Sequence, residues 1–201
     1  MLDAGDDVLK DLGFKGFTMR ECARRAGVSH AAPKHHFTDV TGLLTAIAAR
    51  GFTRMRETLV AELEAAMGDL HEEFAATTRG YLKFAMQYPE HFRLMFRNDL
   101  LNAEDDELWH AASETFAVLT NVILRQRGEP EITGETLRAG NSPREIAGDI
   151  VIGWSHIHGY AHLVLEQQLR MVDPEDRRKL VDGVAARLSD LIQDVVPRNH
   201  P

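Results

Sequence analysis

The sequence has one cysteine, Cys22, in 201 residues, so no intramolecular disulfide can form and nothing points to an oxidising compartment. Long apolar runs are missing too. None approaches the roughly 18 residues of a membrane span, and the opening MLDAGDDVLK is too acidic for a signal peptide, so no membrane association is expected and the cytoplasm is the expected location. Alternating apolar stretches, Gly-Asn hairpin signals and β-branched clusters are absent, whereas apolar residues recur at spacings of three and four. The expected fold is all-α. No phosphate-binding glycine loop and no set of nucleophile, base and orienting group is present, so neither an enzyme nor a cofactor is expected. Net positive charge is also lacking: the chain carries −8, which over its whole length argues against a nucleic-acid binder. Its 44% hydrophobic content suffices for a substantial core.

The charge is unevenly placed. Between Lys15 and His36 the basic residues are Lys15, Arg20, Arg24, Arg25 and Lys34, against the single acid Glu21. That gives a local balance of about +4. Salt screens charge beyond ~8 Å, so a local basic face can act as an electrostatic footprint on an acidic protein. The same stretch carries helix signals. Thr18-Met-Arg-Glu21 is a capping box, as is Ser142-Pro-Arg-Glu145, and Asp173-Pro174 supplies a cap followed by proline. After Thr18, residues Met19, Cys22, Ala23 and Ala26 share one face, which places Cys22 in the core. Gly27 ends this helix, with Val28 packing back under the turn, and Ser29 is the next cap. A helix of about two turns, a glycine turn and a second short helix make a helix-turn-helix, whose second helix enters the DNA major groove. Pro33 belongs to the entrance of that helix, with Ser29 or Ala32 as the cap. It stiffens the end where Ala31 and Ala32 allow close approach to bases, while His30, Lys34, His35 and His36 offer hydrogen bonds.

Residues 2 to 52, LDAGDDVLKDLGFKGFTMRECARRAGVSHAAPKHHFTDVTGLLTAIAARGF, resemble the DNA-binding domain of the TetR family of bacterial transcriptional regulators. The likeness lies in the GF-x-x-x-T-M-R start of the second helix, the A-x-x-AGVS turn, the H-x-F end of the recognition helix and the L-L-x-A-I of the long helix after it. Within that family, SHAAP-x-x-HF resembles a subgroup with a Trp-His-Gly signature in its C-terminal ligand domain. Here Trp154, His158 and Gly159 stand in GWSHIHGYAHLVLEQQL, and YLKFAMQYPEHFRLMF resembles the same domain. The resemblance implies that Thr18 and Arg20 touch DNA phosphates, that Ser29, His30, Ala31, Lys34 and His35 face the groove, and that His36 and Thr38 touch the backbone. Lys34 replaces a usual tyrosine, and Val40 stands near a usual lysine or arginine. Members also carry a basic segment before the first helix. The sequence therefore starts late, with weaker DNA affinity expected.

The expected division is a helix-turn-helix domain over residues 1–50 and a ligand-binding and dimerisation domain over 51–201. Further helices are expected near Thr53–Met67, Leu70–Tyr88, Pro89–Phe96, Glu104–Arg127, Pro143–Leu169 and Pro174–Val195, with a long loop from Gly128 to Asn141. The helix IAGDIVIGWSHIHGYAHLVL is apolar on nearly all sides, so more than one face must be covered. A homodimer through the last two helices would do this, and its twofold symmetry suits a palindromic operator. Tyr81, Phe84, Tyr88, Phe92, Met95, Phe96, Trp109, Phe116, Trp154, His158 and His162 are the expected lining of an apolar pocket for a small-molecule effector of unknown identity. His158 and His162, four apart with Glu166 a turn further on, have a spacing that can hold a metal. There is no glutamate directly after His158, as a zinc-hydrolase helix requires, and no metal is expected.

Overall fold

The computed structural model describes residues 1–28, 37, 39–66, 68–141 and 144–195. Every regular element among them is helical: α1 (Leu2–Gly16), α2 (Met19–Arg25), α3 (Val40–Ala65), α4 (Leu70–Gln87), α5 (Pro89–Met95), α6 (Asp106–Arg127), α7 (Gly134–Arg138), α8 (Ala147–Leu165) and α9 (Pro174–Val195), with one 3-10 turn at Arg144–Ile146. No helix among the described residues is long and apolar enough to cross a membrane.

Local chemistry sets most of the ends. The Thr18 side chain accepts from the Glu21 amide at 3.1 Å and so caps α2. At the other end Gly27 takes φ 66°, and the amides of Gly27 and Val28 reach back to Arg24 and Ala23, the paired bonds of a Schellman turn. Pro174 opens α9, where its missing N–H is not needed. Three expectations change. Val28 does not pack back under the turn but is 39% exposed. The loop from Gly128 to Asn141 contains α7, started by a reciprocal cap between Thr133 and Thr136 that satisfies two amides a loop would leave to water. Helix α3 also runs unbroken from Val40, past the expected start at Thr53, because Gly51 is accommodated inside it. A Cβ at Gly51 would lie 2.8 Å from the Met95 sulfur, so glycine there permits close packing of α5.

The chain forms two compact units: Met1–Thr53 with Tyr88–Ala112, and Arg54–Gln87 with Ser113–Pro201. The boundaries pass through α3 and α6, so residues 88–112 group with the N-terminal helices. In the first unit α1 packs on α2 and α5, around Val8, Leu9, Leu43, Ile47 and Phe92, all essentially without exposure. Each such side chain contributes about 1.5–3 kcal/mol by leaving water. Polar groups are buried with them. Asp6, 8% exposed, takes His91 Nε2 at 3.0 Å on one carboxylate oxygen and the Arg50 guanidinium at 2.9 Å on the other. Arg50 also donates to the exposed Asp3.

In the second unit α4 packs on α8 and α9, and α8 on α9. Phe74, Val122, Ile123, Leu124 and Ile146 form a continuous buried cluster. Ion pairs surround it: Arg125 donates to Glu73 at 2.7 Å and to Glu131 at 2.8 Å, and Arg127 to Asp149 at 2.6 Å.

Candidate nucleic-acid interface and ligand cavity

Of the residues expected at DNA, Thr18 and Arg20 are described, and Ser29, His30, Ala31, Lys34, His35, His36 and Thr38 lie outside the described residues. Thr18 and Arg20 are both exposed at the start of α2. Two of the basic residues of this helix are held in ion pairs. Glu21 does not complete the expected capping box with its side chain. Its carboxylate instead takes two bonds from Arg24, at 2.6 and 2.7 Å, and one from Arg25 at 3.0 Å. The Arg24 and Arg25 guanidiniums hold the Glu21 carboxyl down at about 2, well below its ordinary range. Arg25 reaches on to Asp11 of α1 at 2.6 Å. Arg24 and Arg25, counted in the sequence as part of a local basic face, are thus held in ion pairs within α2 and, for Arg25, to α1. Cys22 is fully buried beneath them, and burial raises its thiol pKa, which leaves it inert at neutral pH.

The residues expected at a pocket fall in both units. Tyr88, Phe92, Met95, Phe96 and Trp109 belong to the first, where Phe96 meets Phe52 and Phe92 edge-on at 5.8 and 5.3 Å. Trp109 is 51% exposed, its indole N–H donating to the Ala103 carbonyl. Tyr81, Phe84, Phe116, Trp154, His158 and His162 belong to the second. There a cavity of about 40 Å³ opens among α4, α6 and α8. It is lined by Phe74 and Thr77 of α4, by Phe116, Leu119, Val122 and Ile123 of α6, and by Ile150, Gly153, Trp154 and Ile157 of α8. Phe116 and Trp154 are the two expected residues among these. The others were not singled out, because an aliphatic cavity wall has the same periodicity as ordinary core. The signal was nevertheless present: Ile150, Gly153, Trp154 and Ile157 stand at i, i+3, i+4 and i+7 on one face of α8.

Behind Trp154, Tyr81 and His158 continue a chain of polar contacts. The Trp154 indole N–H donates to Tyr81 Oη at 3.3 Å, and Tyr81 Oη lies 2.7 Å from His158 Nδ1. Phe116 meets Trp154 at 90° with centroids 5.2 Å apart, and the His158 and His162 rings are 4.6 Å apart. Burial, with a smaller contribution from His162, lowers His158 to about 4, so it is neutral at pH 7. Burial also raises the Tyr81 phenol, keeping it protonated. Thr77, the one hydroxyl residue of the lining, donates to the Glu73 carbonyl. Among the described residues, no three His, Cys, Asp or Glu side chains converge as a metal-binding set.

Two family models match this helical chain, one at each end. Residues 1–47 match that of the bacterial regulatory proteins of the tetR family, and residues 74–188 match a tetracycline repressor-like C-terminal domain. The chain belongs to the TetR family. It is a DNA-binding transcription regulator with a helix-turn-helix. Solved TetR-family structures share the fold. The regulator PfmR of Thermus thermophilus is 17% identical over 98% of each chain with TM-score 0.56. A regulatory protein of the tetR family from Rhodococcus RHA1 is 19% identical, covering 99% of this chain and 96% of that one, with TM-score 0.61. A protein of unknown function from Rhodococcus sp. RHA1 is more similar, at 27% identity over 97% of this chain and 92% of that one, with TM-score 0.74. No curated protein matches the sequence.

Proposed function

We propose that this TetR-family protein is a ligand-responsive repressor, a homodimer released from a palindromic operator by a small apolar molecule. The observation that carries the reading is where the walls of the apolar cavity lead. Helix α4 continues through the single residue Tyr88 into α5, and α6 is one unbroken helix whose first turns group with the N-terminal helices. Widening the cavity therefore acts on segments that are covalently part of the unit holding α2. A ligand that prefers the widened state shifts the population toward it, and the operator is released if that state spaces the two recognition helices wrongly.

The dimer reading is supported by the apolar residues that α8 and α9 leave exposed, Val151, Ile152 and Leu163 on the one and Leu191 on the other. Gly148, Gly159 and Gly183 have open space where a Cβ would stand, which suits close approach of a second copy. Trp154, His158 and Gly159 favour the subgroup with the Trp-His-Gly signature.

The test is fluorescence anisotropy of the full chain with a duplex from immediately upstream of its own gene, against a scrambled duplex, over a range of salt. Selective binding that weakens steeply with salt is expected. Arg20→Gln should lower the slope of log K against log salt by about 0.9, the value of one phosphate contact. Arg24→Gln should leave it unchanged, since Glu21 already holds that guanidinium. Equal binding to both duplexes would count against a regulator of its own gene, and equal slopes for the two variants would remove Arg20 from the interface.

A further inference from the structure

The chain between α1 and α2 turns on a glycine. Gly13, near the end of α1, takes φ 59° and ψ −167°, a backbone shape that interrupts the helix and that other residues rarely adopt. Beyond it the chain runs through Phe17, which is extended, to the Thr18 cap of α2. The buried side chains of α2 are Cys22 and Ala23, both small. Burial of apolar surface is non-directional, so these two bring α2 close to its neighbours but do little to fix its rotation on them.

The directional contact is at the far end of the helix. Arg25, in the last turn of α2, sends Nη1 to Asp11 Oδ2 at 2.6 Å, 14 positions back on α1, while its Nε donates to Glu21 Oε1 at 3.0 Å. Glu21 is held in turn by Nε and Nη2 of Arg24. A guanidinium is planar, and its donors are fixed relative to one another. With Nε tied inside α2 and Nη1 tied to α1, the plane of the fork relates the orientation of one helix to that of the other. Asp11 stands before Gly13 and Arg25 stands after Thr18, so the bond closes across the glycine turn. The Arg25 side chain is 21% exposed against 67% for Arg24, which makes it the less available of the two to a phosphate.

We propose that Arg25 is a positioning residue for DNA recognition: through Asp11 it fixes the angle of α2 on α1, and with it the seating of the helix-turn-helix on the duplex, without itself touching DNA. This rests on α2 being the first helix of the helix-turn-helix and is independent of the ligand reading. The role belongs to selectivity more than to stability. An ion pair with a half-exposed partner contributes little to folding, whereas base contacts are lost once the groups that make them are displaced.

Electrostatics alone and positioning predict opposite results at Asp11. Removing its charge makes the protein less negative beside the DNA and frees a guanidinium, which by charge alone should tighten binding to any duplex. Lost positioning should weaken binding to the recognised sequence and to no other.

The probes are a duplex selected by the parent protein from a random-sequence pool and a scrambled duplex of the same length, with the full chain followed by fluorescence anisotropy. Asp11→Ala keeps a good helix former in α1. It should lower the ratio of selected to scrambled affinity about fivefold, the low end of the cost of one lost base contact, with the urea midpoint little changed. Asp11→Glu, which keeps a carboxylate at the same position, should restore the parent ratio. Arg25→Lys keeps the charge but not the fork, so it should lower the ratio as Asp11→Ala does, and it decides the matter if that variant fails to fold. Selected-duplex binding by Asp11→Ala as tight as the parent's, a loss shared equally by both duplexes, no recovery in Asp11→Glu, or no sequence enriched by the parent would overturn the proposal. The phosphate contact expected of Arg20 is read separately from its salt slope: an unchanged slope in Arg20→Gln beside a ratio that still falls in Asp11→Ala would remove Arg20 from the interface and leave Arg25 as the positioning residue.

Discussion

Each of the two compact units ties a histidine into a polar contact between helices, and the two are held in different ways. In the first, buried His91 is bonded to a buried carboxylate, Asp6, which also carries the Arg50 guanidinium, so that α1 is joined to α5 by a hydrogen bond and to α3 by an ion pair. In the second, half-buried His158 is bonded to a phenol, which in turn takes a long hydrogen bond from an indole beside an apolar cavity. Breaking a buried ion pair leaves an uncompensated charge and costs about 3–5 kcal/mol. Replacing a neutral hydrogen bond by an equivalent one costs close to nothing, because the net value of each is only about 0.5–1.5 kcal/mol. The unit carrying α2 is therefore built to keep one arrangement, and the unit with the cavity can exchange one arrangement for another cheaply. That is the division of labour the proposed roles, one unit reading DNA and the other sensing a ligand, would require.

The comparison breaks most readily at Asp6. Asp6→Ala removes the carboxylate that His91 and Arg50 share, and is expected to lower unfolding stability by about 3 kcal/mol, read from the urea midpoint. Asp3→Asn, which removes a partner of the same guanidinium whose side chain is 92% exposed, should change it by less than about 0.5 kcal/mol. Similar values for the two would mean that the ionic contact is a surface one and that the first unit is no more firmly determined than the second.

A smaller effect tests the other side. Val122 is buried at the cavity wall, and Val122→Ile adds one methylene to a space of about 40 Å³. The variant should be more stable by about 0.5–1 kcal/mol, because the added methylene fills empty volume. A loss of stability would show that the wall is already close-packed, as overpacked cores are.

How much of this the sequence revealed follows the range of the interactions. The ends of α2 were legible because Thr18 and Gly27 act within their own turns, and Pro174 likewise marked α9. Helix α7 was not, because Thr133 and Thr136 form a reciprocal cap without the acidic or amide residue that usually marks one. The grouping of residues 88–112 with the N-terminal helices depends on His91 meeting Asp6 across 85 positions, which no local pattern records. At the site, Trp154, His158 and Tyr81 were legible as residue types, but their joining needs a contact across 77 positions. The basic residues around α2 were legible as a local charge with Glu21 included, but the ion pairs they form with Glu21 and Asp11 were not, since counting charges does not show which groups meet. The aliphatic lining stayed hidden for a simpler reason: Leu119 and Ile150 look the same whether they border a cavity or fill a core.

The finest test of the contrast is pH. His158 has a folded-state pKa of about 4, against an ordinary value near 6.5, because burial and then His162 disfavour its charged form. Between those values the unfolded chain takes up a proton at this position and the folded chain does not, so stability contributed here is full above pH 6.5 and is lost as pH falls toward 4. His158→Gln, which keeps an acceptor for the Tyr81 hydroxyl but cannot titrate, should flatten the fall in thermal midpoint between pH 6.5 and 4 relative to the parent protein. The effect should be the smallest of the three, since His158 is only half-buried and water screens part of the penalty. Because the comparison is a difference between two proteins, carboxylates that titrate in the same range cancel. An unchanged slope would mean that water reaches His158 freely, and with it the Tyr81 oxygen on which the neutral character of the site depends.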